Sequence, residues 1–343
     1  MTEIDLESLT RQCESAVKAG VFPGASFCVG TADRAHFGTV GCLDYQHGQS
    51  VSKSTIYDLA SLTKPICTTT SAMCFFQDGA FGLGSEVRNW IPEFHHGVTI
   101  GHLLTHTSGL PAHRDFWKLE GTSDDRLRAV LSEPLVRAPG SGTEYSCVGF
   151  IVLATVLQRI SGEVYPESWT WPFFRICEAT GMEFQFNPPA SLSLQIAPTE
   201  EGTPIGVVHD ENARSLGGIS GNAGLFGTAE DVARFAQLIL RGGEGFIRPE
   251  VIQGWTKQQS ADSTRALGWD THSGSSDSSA GALFSPESFG HTGFTGTSLW
   301  IDPNLGIFAG LLTNRVHPTR ENTAIIEFRR KFHESVVESI IGC

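Results

Sequence analysis

The sequence predicts an α+β fold of the α/β sandwich type: one antiparallel sheet built from both ends of the chain and flanked by helices, with a mostly helical lobe inserted between. Three observations predict it. Short β-prone runs stand near the N-terminus, similar runs return near the C-terminus, and the stretch between is broken into helical segments by Gly/Pro loops. At 343 residues the chain exceeds the size at which one core stops growing, so a single catalytic domain with two intimately packed lobes is expected. The sheet lobe is assigned to residues 1–54 and about 245–343, the helical lobe to about 55–244.

The elements follow in order. Leu6, Leu9, Ala16 and Val17 recur at helical spacing, so Met1 to Gly20 reads as an amphipathic surface helix. Gly24 to Gly30, a turn at Thr31 to Arg34, and a second run ending near Gly41 read as a hairpin. Helices are then expected over Thr99 to His106, Val148 to Ile160 and Ala229 to Leu240, each closed by Ser-Gly or Gly-Gly. Thr228 with Asp231 three residues on resembles a capping box with Asp in place of Glu. Phe289 to Asp302 reads as a strand, Asp302-Pro303-Asn304-Leu305-Gly306 as a turn, and Ile307 to Thr313 as the returning strand. A last helix is expected from about Thr319 to Ile341, and Ser273 to Ala282 reads as a mobile loop.

Composition narrows the function. With 40% hydrophobic and 18% charged residues the chain is an ordinary globular protein, and its net charge of -13 disfavours nucleic acid and anionic membrane as partners. No stretch approaches the roughly 18 apolar residues of a membrane helix, and the acidic start lacks signal-peptide layout, so a cytoplasmic protein is expected. The eight cysteines show no C-x-x-C spacing, which predicts reduced thiols rather than a disulfide framework or zinc cage. His102 and His106 stand at i and i+4, yet no acidic residue lies between them; helix-end hydrogen bonding is expected there, and no metal.

The chemical signal is Ser-x-x-Lys, which occurs at Ser15/Lys18, Ser50/Lys53 and Ser61/Lys64. Only Ser61 follows an apolar run, Ile56 to Ala60, and precedes a long helical segment. Pro65 is tolerated only in a helix's first turn, so the helix must begin close to Ser61. That leaves the Ser61 N–H free as an oxyanion donor and sets Lys64 on the same face as the hydroxyl it would activate. To act as base the lysine must lose its proton; bringing its pKa near 7 costs about 4 kcal/mol, and a largely neutral Lys64 is expected. A plain N-cap and a solvated lysine would show the same spacing, and this motif alone does not decide.

Two more segments do. Tyr145-Ser146-Cys147 opens a helix after Pro139-Gly140-Ser141-Gly142, and His291-Thr292-Gly293 lies on the first strand of the C-terminal hairpin. Ser-x-x-Lys, Tyr-x-Asn and Lys/His-Thr-Gly in that order mark the penicillin-recognising serine hydrolases. From about Pro23 to Pro318 the chain resembles class C β-lactamases, serine D-alanyl-D-alanine carboxypeptidases and their esterase and D-aminopeptidase relatives. Leu103 to Leu110 and Leu312-Thr313-Asn314-Arg315 look the same way.

The resemblance implies a β-lactamase/transpeptidase-like fold with the site between the lobes. It implies that Tyr145 shuttles the Ser61 proton with Lys64, and that His291 contributes hydrogen bonding or charge opposite. Thr292 would contact substrate, and the small Gly293 would let it lie flat on the strand. The N–H of Phe294 would be the second oxyanion donor beside that of Ser61. Asn314 and Arg315 could help bind a carboxylate, or could be strand-end surface residues. Cys147 departs from the pattern: it replaces an Asn whose amide binds the substrate's acyl-side amide, and a thiol is a poor partner for that bond. His209-Asp210-Glu211-Asn212 reads as a hydrogen-bonded loop with no assigned role.

The expected function is a cofactor-free serine hydrolase acting on a small ester or amide, with a carboxylesterase first. A β-lactamase or D-alanyl peptidase is the rival, and a catalytically silent binding protein that keeps the cleft is the more distant one. The oligomeric state is not legible.

Overall fold

The computed structural model of the protein describes residues 4–46, 48–164, 168–274 and 278–341. Helix α1 (Leu6–Lys18) is followed by strands β1 (Gly24–Thr31), β2 (Ala35–Gly41) and β3 (Tyr57–Asp58). Helices α2 (Thr70–Gln77), α3 (Ile100–Leu104), α4 (Ser123–Leu131), α5 (Cys147–Val164) and α6 (Trp171–Thr180) come next, then strand β4 (Gln185–Phe186). Helix α7 (Glu211–Ser215), strand β5 (Leu225–Gly227), and helices α8 (Ala229–Leu240) and α9 (Pro249–Thr256) lead to the C-terminal strands. These are β6 (Asp270–Thr271), β7 (Phe289–Thr292), β8 (Ser298–Asp302) and β9 (Ile307–Thr313), closed by α10 (Ile325–Ile341).

The main sheet is six-stranded and antiparallel in the order β2-β1-β9-β8-β7-β6, so the two ends of the chain meet at β1 and β9, with Phe27 opposite Leu311. Strand alternation sends Phe27 and Val29 to a core closed by α1 (Leu9, Cys13, Ala16) and α10 (Phe328, Phe332, Val336). Cys28, Phe308 and Leu312 point the other way, into the core shared with α8 and the helical part. Gly310 lets α8 close on the sheet: a Cβ there would stand 2.7 Å from Cys28 Sγ and 3.1 Å from a Val232 methyl. The sequence reading put α8 in the helical lobe, but its apolar stripe packs on β1 and β9. Its start is capped as expected, with Thr228 and Asp231 bonded reciprocally.

Two other boundaries differ from expectation. Phe289 to Asp302 is two strands, because residues 293–297 turn away; Thr295 and Thr297 donate their hydroxyls to the Asp58 and Leu59 carbonyls at 2.7 and 2.9 Å. The last helix begins at Ile325 and not near Thr319. Arg315 takes the Arg320 and Asn322 carbonyls at 2.7 and 2.9 Å, which holds that stretch as turns. Of the loop from Ser273 to Ala282, residues 275–277 lie outside the described residues. Cys13, Cys28, Cys42, Cys67, Cys74, Cys147 and Cys177 are free thiols. No helix among the described residues is long and apolar enough to cross a membrane.

Candidate active site

The Ser61 segment begins at a strained residue. Ala60 has φ of +48°, a left-handed conformation that costs a non-glycine residue about 1–3 kcal/mol unless its surroundings enforce it. Here the Asp58 carboxylate accepts the Ala60 N–H at 2.8 Å. A 3-10 turn over Ala60–Leu62 and a π-helical turn over Lys64–Thr69 then lead into α2. The start near Ser61 agrees with the sequence reading; the regular α-helix expected there is replaced by these two turns. Pro65 sits where the ladder changes, with no N–H to give. Lys64, three residues past Ser61 and first in the π-helical turn, falls on the same side of the chain as the Ser61 hydroxyl.

Lys64 is wholly buried. Its Nζ donates to Ser61 Oγ at 2.9 Å, to the Asn222 carbonyl at 3.0 Å and to Cys147 Sγ at 3.5 Å, and it lies 5.0 Å from the Tyr145 ring centre. Burial alone would strip its proton. Negative charge on Cys147 or Tyr145 opposes burial and prevails, so the Lys64 pKa is raised above the ordinary lysine value. This corrects the expectation of a largely neutral lysine: acidic neighbours from a distant segment hold the proton on. Burial also raises the Tyr145 phenol, against the pull of Lys64.

Tyr145 is placed by a clamp on its own segment. His106, itself left-handed at φ +59°, accepts the Ser146 N–H on Nδ1 at 3.0 Å, and its carbonyl accepts the Glu144 N–H at 2.9 Å. Its ring lies 4.6 Å from that of Tyr145. Ser146 donates its hydroxyl to the Pro111 carbonyl at 2.7 Å and accepts the Gly149 N–H at 3.0 Å, capping α5. The phenol thereby comes into hydrogen-bonding range of Ser61 and Lys64. His102 accepts the Thr99 N–H at 3.2 Å, so both histidines of the i, i+4 pair serve backbone ends.

The third wall is β7 and its turn. His291 Nδ1 donates to the Thr292 carbonyl at 2.8 Å, which leaves Nε2 a bare acceptor, buried and without a partner among the described residues. Burial, with the Lys64 and Arg265 charges, holds this ring well below the ordinary histidine pKa, hence neutral. Gly293 is required by packing: a Cβ would lie 2.0 Å from Thr297 Oγ1 and 2.6 Å from the Leu59 carbonyl. That contact by itself requires a glycine here, and Gly293 also lines the cleft. No acceptor among the described residues takes the N–H of Ser61 or of Phe294.

Ser61, Tyr145, His291, Thr292, Gly293 and Phe294 line one cleft of about 720 Å³. Lys64 reaches it from below and Cys147 lies beside Lys64. Arg315 lines the cleft too, but its Nε donates to the Phe294 carbonyl at 2.9 Å and its Nη1 to the two carbonyls near α10. Asn314 is not brought to the cleft: its amide donates to the Leu43 and Pro198 carbonyls at 2.7 and 2.9 Å.

A protein-family model described as Beta-lactamase matches residues 10–334. The chain belongs to the beta-lactamase family. Members of this family are serine hydrolases, and so is this chain. A Salmonella agona protein, named provisionally as a D-alanyl-D-alanine carboxypeptidase, is 30% identical over 326 residues, covering 81% of this chain and 74% of its own. An Escherichia coli protein of the same provisional name is 29% identical, covering 77% and 70%. Among solved structures, EstCE1, titled a hydrolase with promiscuous acyltransferase activity, superposes with TM-score 0.78 at 21% identity over 96% of this chain and 98% of its own. A penicillin-binding protein homologue from Caulobacter crescentus gives 0.77 at 18% identity over 97% of each chain. These two likenesses bear on the fold alone.

Within this beta-lactamase-family fold the sequence reading missed several residues at the site. Arg265 has no motif around it, yet its guanidinium stands 5.1 Å from the Tyr145 ring centre. It makes no side-chain hydrogen bond among the described residues, and its nearest carboxylate, Asp270, is 3.7 Å away. Asn222 holds Lys64 through a backbone carbonyl, which no residue type announces; only the Gly-rich stretch Gly221 to Gly224 hints at a turn there. His209 to Asn212 reads in sequence as a hydrogen-bonded loop; it is hydrogen-bonded, but Asp210 is the N-cap and Glu211 and Asn212 are the first residues of α7. Asp210 caps α7 at the Ala213 N–H (2.8 Å), Glu211 pairs with Arg320 (2.6 Å) and Asn212 ties to the Arg114 carbonyl (2.7 Å).

Proposed function

We propose that this serine hydrolase is a carboxylesterase-like enzyme that cleaves small esters through an acyl-enzyme on Ser61, without a cofactor. The observation that carries the proposal is the buried Lys64 Nζ at 2.9 Å from Ser61 Oγ, next to two N–H groups with no partner among the described residues. In the fraction of molecules where Lys64 has lost its proton, it accepts that of Ser61 as Oγ bonds to the ester carbonyl carbon. The N–H groups of Ser61 and Phe294 receive the oxyanion. Tyr145 relays the proton to the leaving oxygen as the ester C–O bond breaks. Water then attacks the acyl carbon along the same route, its proton returns to Ser61 Oγ, and the acid leaves.

Esters are favoured over amides because Cys147 stands where an amide would grip an acyl-side amide. Labelling with a fluorophosphonate, read by intact mass, tests the nucleophile: one adduct is expected on the wild type and none on Ser61→Ala, with ester hydrolysis lost and circular dichroism unchanged. Adduct formation or more than trace activity in the variant would place the nucleophile elsewhere, and a wild type that takes no adduct and cleaves no ester would revive the silent-binder reading.

One observation favours a second reading, a D-alanyl carboxypeptidase or β-lactamase. The Arg265 guanidinium in the cleft wall, whose ion pairing among the described residues is a long 3.7 Å contact to Asp270, suits a substrate carboxylate, and the provisional names of the curated relatives agree with it. A panel of p-nitrophenyl esters, nitrocefin and D-alanyl peptides separates the two. Higher kcat/KM on nitrocefin or the peptides than on the best ester would replace the esterase reading.

A further inference from the structure

Asp58 is a buried carboxylate that the reaction above does not use, and its two oxygens are committed to two segments far apart in the chain, each next to a cleft residue. Oδ1 accepts the N–H of Ala60, the left-handed residue just before Ser61, at 2.8 Å. Oδ2 accepts the N–H of His209 at 2.7 Å. The His209 ring stacks on that of Phe294, with centres 5.6 Å apart and planes at 21°, and its Nε2 meets Glu200 at 3.2 Å. The Asp58 carbonyl also accepts the Thr295 hydroxyl at 2.7 Å, one residue past Phe294.

Two oxyanion donors come from turns more than 200 residues apart in the chain, and their separation must match a tetrahedral oxygen closely to be useful. The Phe294 turn has bonds of its own, Gly293 N–H to the Thr297 carbonyl at 2.7 Å among them, so what Asp58 adds is the tie between the two turns. Ala60 is in a conformation its side chain disfavours, and Phe294 is 51% exposed. Asp58 contacts both sides at once: the Ser61 turn directly, and the Phe294 turn through His209 and through Thr295. We infer that Asp58 is the positioning residue of the oxyanion hole, setting the Ser61 and Phe294 N–H groups in register. It touches no substrate and acts through Ala60, His209 and Thr295. The inference rests on the acyl-enzyme reading of Ser61.

Asp58→Asn keeps the shape but presents an NH₂ to one of the two N–H donors, so one bond is lost. A misplaced oxyanion donor typically costs about 10²-fold. The expected result is a fall in kcat of that order on a p-nitrophenyl ester with KM within about threefold. Affinity for an arylboronic acid, which forms a tetrahedral adduct on a nucleophilic serine, should fall in parallel with kcat. Thr295→Val, which removes only the tie to the Asp58 carbonyl, should move both quantities the same way by a smaller factor, and Thr295→Ser should restore them. Should Asp58→Asn fail to fold, the Thr295 pair decides. Unchanged kcat and boronate affinity in the variants that fold, or a loss confined to KM, would overturn the positioning role. A wild type that forms no boronate adduct on Ser61 would instead overturn the acyl-enzyme reading, and the inference with it.

Discussion

Replacing Cys147 by serine should move the pH dependence of this enzyme toward acid. The Cys147 sulfur lies 3.5 Å from Lys64 Nζ, and negative charge there is the largest of the influences that hold the lysine proton on against burial. At that separation two unit charges interact by about 5 kcal/mol with an effective dielectric of about 20. A limb moves one pH unit for about 1.4 kcal/mol, so even a third of that interaction shifts it by about a unit. Serine keeps a small polar side chain beside Lys64 and does not ionise in the accessible range. The sign follows: with negative charge at residue 147 excluded, the influence that raises Lys64 is weakened, the Lys64 pKa falls, and more neutral base is present near pH 7. The assay is kcat/KM for a short ester against pH by pH-stat, in wild type and Cys147→Ser. The wild-type limb should lie high, with activity still rising at pH 9, and the variant's limb should lie about a unit or more lower. A variant limb within about 0.3 unit of the wild type, or displaced toward alkali, would refute the account of how Lys64 is held.

Lys64→Met should abolish ester hydrolysis at every pH between 5 and 10, since burial pushes up the Tyr145 phenol beside Ser61 and keeps its proton on; measurable turnover would sink the general-base role. Cys147→Asn should improve kcat/KM on an amide-bearing β-lactam relative to a short p-nitrophenyl ester by a few-fold to roughly tenfold, the worth of one neutral hydrogen bond. A ratio that moves the other way would remove the explanation of ester preference. Gly293→Ala puts a Cβ 2.0 Å from Thr297 Oγ1, and overpacking of this kind costs about 1–3 kcal/mol. Urea unfolding should show that loss together with lower kcat, whereas unchanged stability would mean the turn yields at little cost.

The sequence by itself determined the parts of the site that are local. Ser61 and Lys64 are three residues apart and Pro65 dates the start of the turn, so their placement on one face follows from local geometry, while the burial that makes the contact does not. The β1–β2 hairpin and the capping of α8 follow equally from period and turn chemistry. Tyr145 and His291-Thr292-Gly293 were found through an ordered resemblance, and the structure brings both to the Ser61 cleft. Tertiary structure decided what depends on residues far apart in the chain. The charge state of Lys64 is set by Cys147 and Tyr145, and its third hydrogen bond goes to a backbone carbonyl at Asn222. Arg265 carries no local pattern, and Asp58 looks like one polar residue in an apolar run until His209 and Thr295 are folded against it. Asn314 shows the same limit from the other side: near a strand end it suited a carboxylate, but in the fold two carbonyls claim its amide. The reason is physical. Propensity and periodicity act over one or two turns of chain, whereas burial, electrostatic coupling and hydrogen-bond competition depend on which surfaces meet.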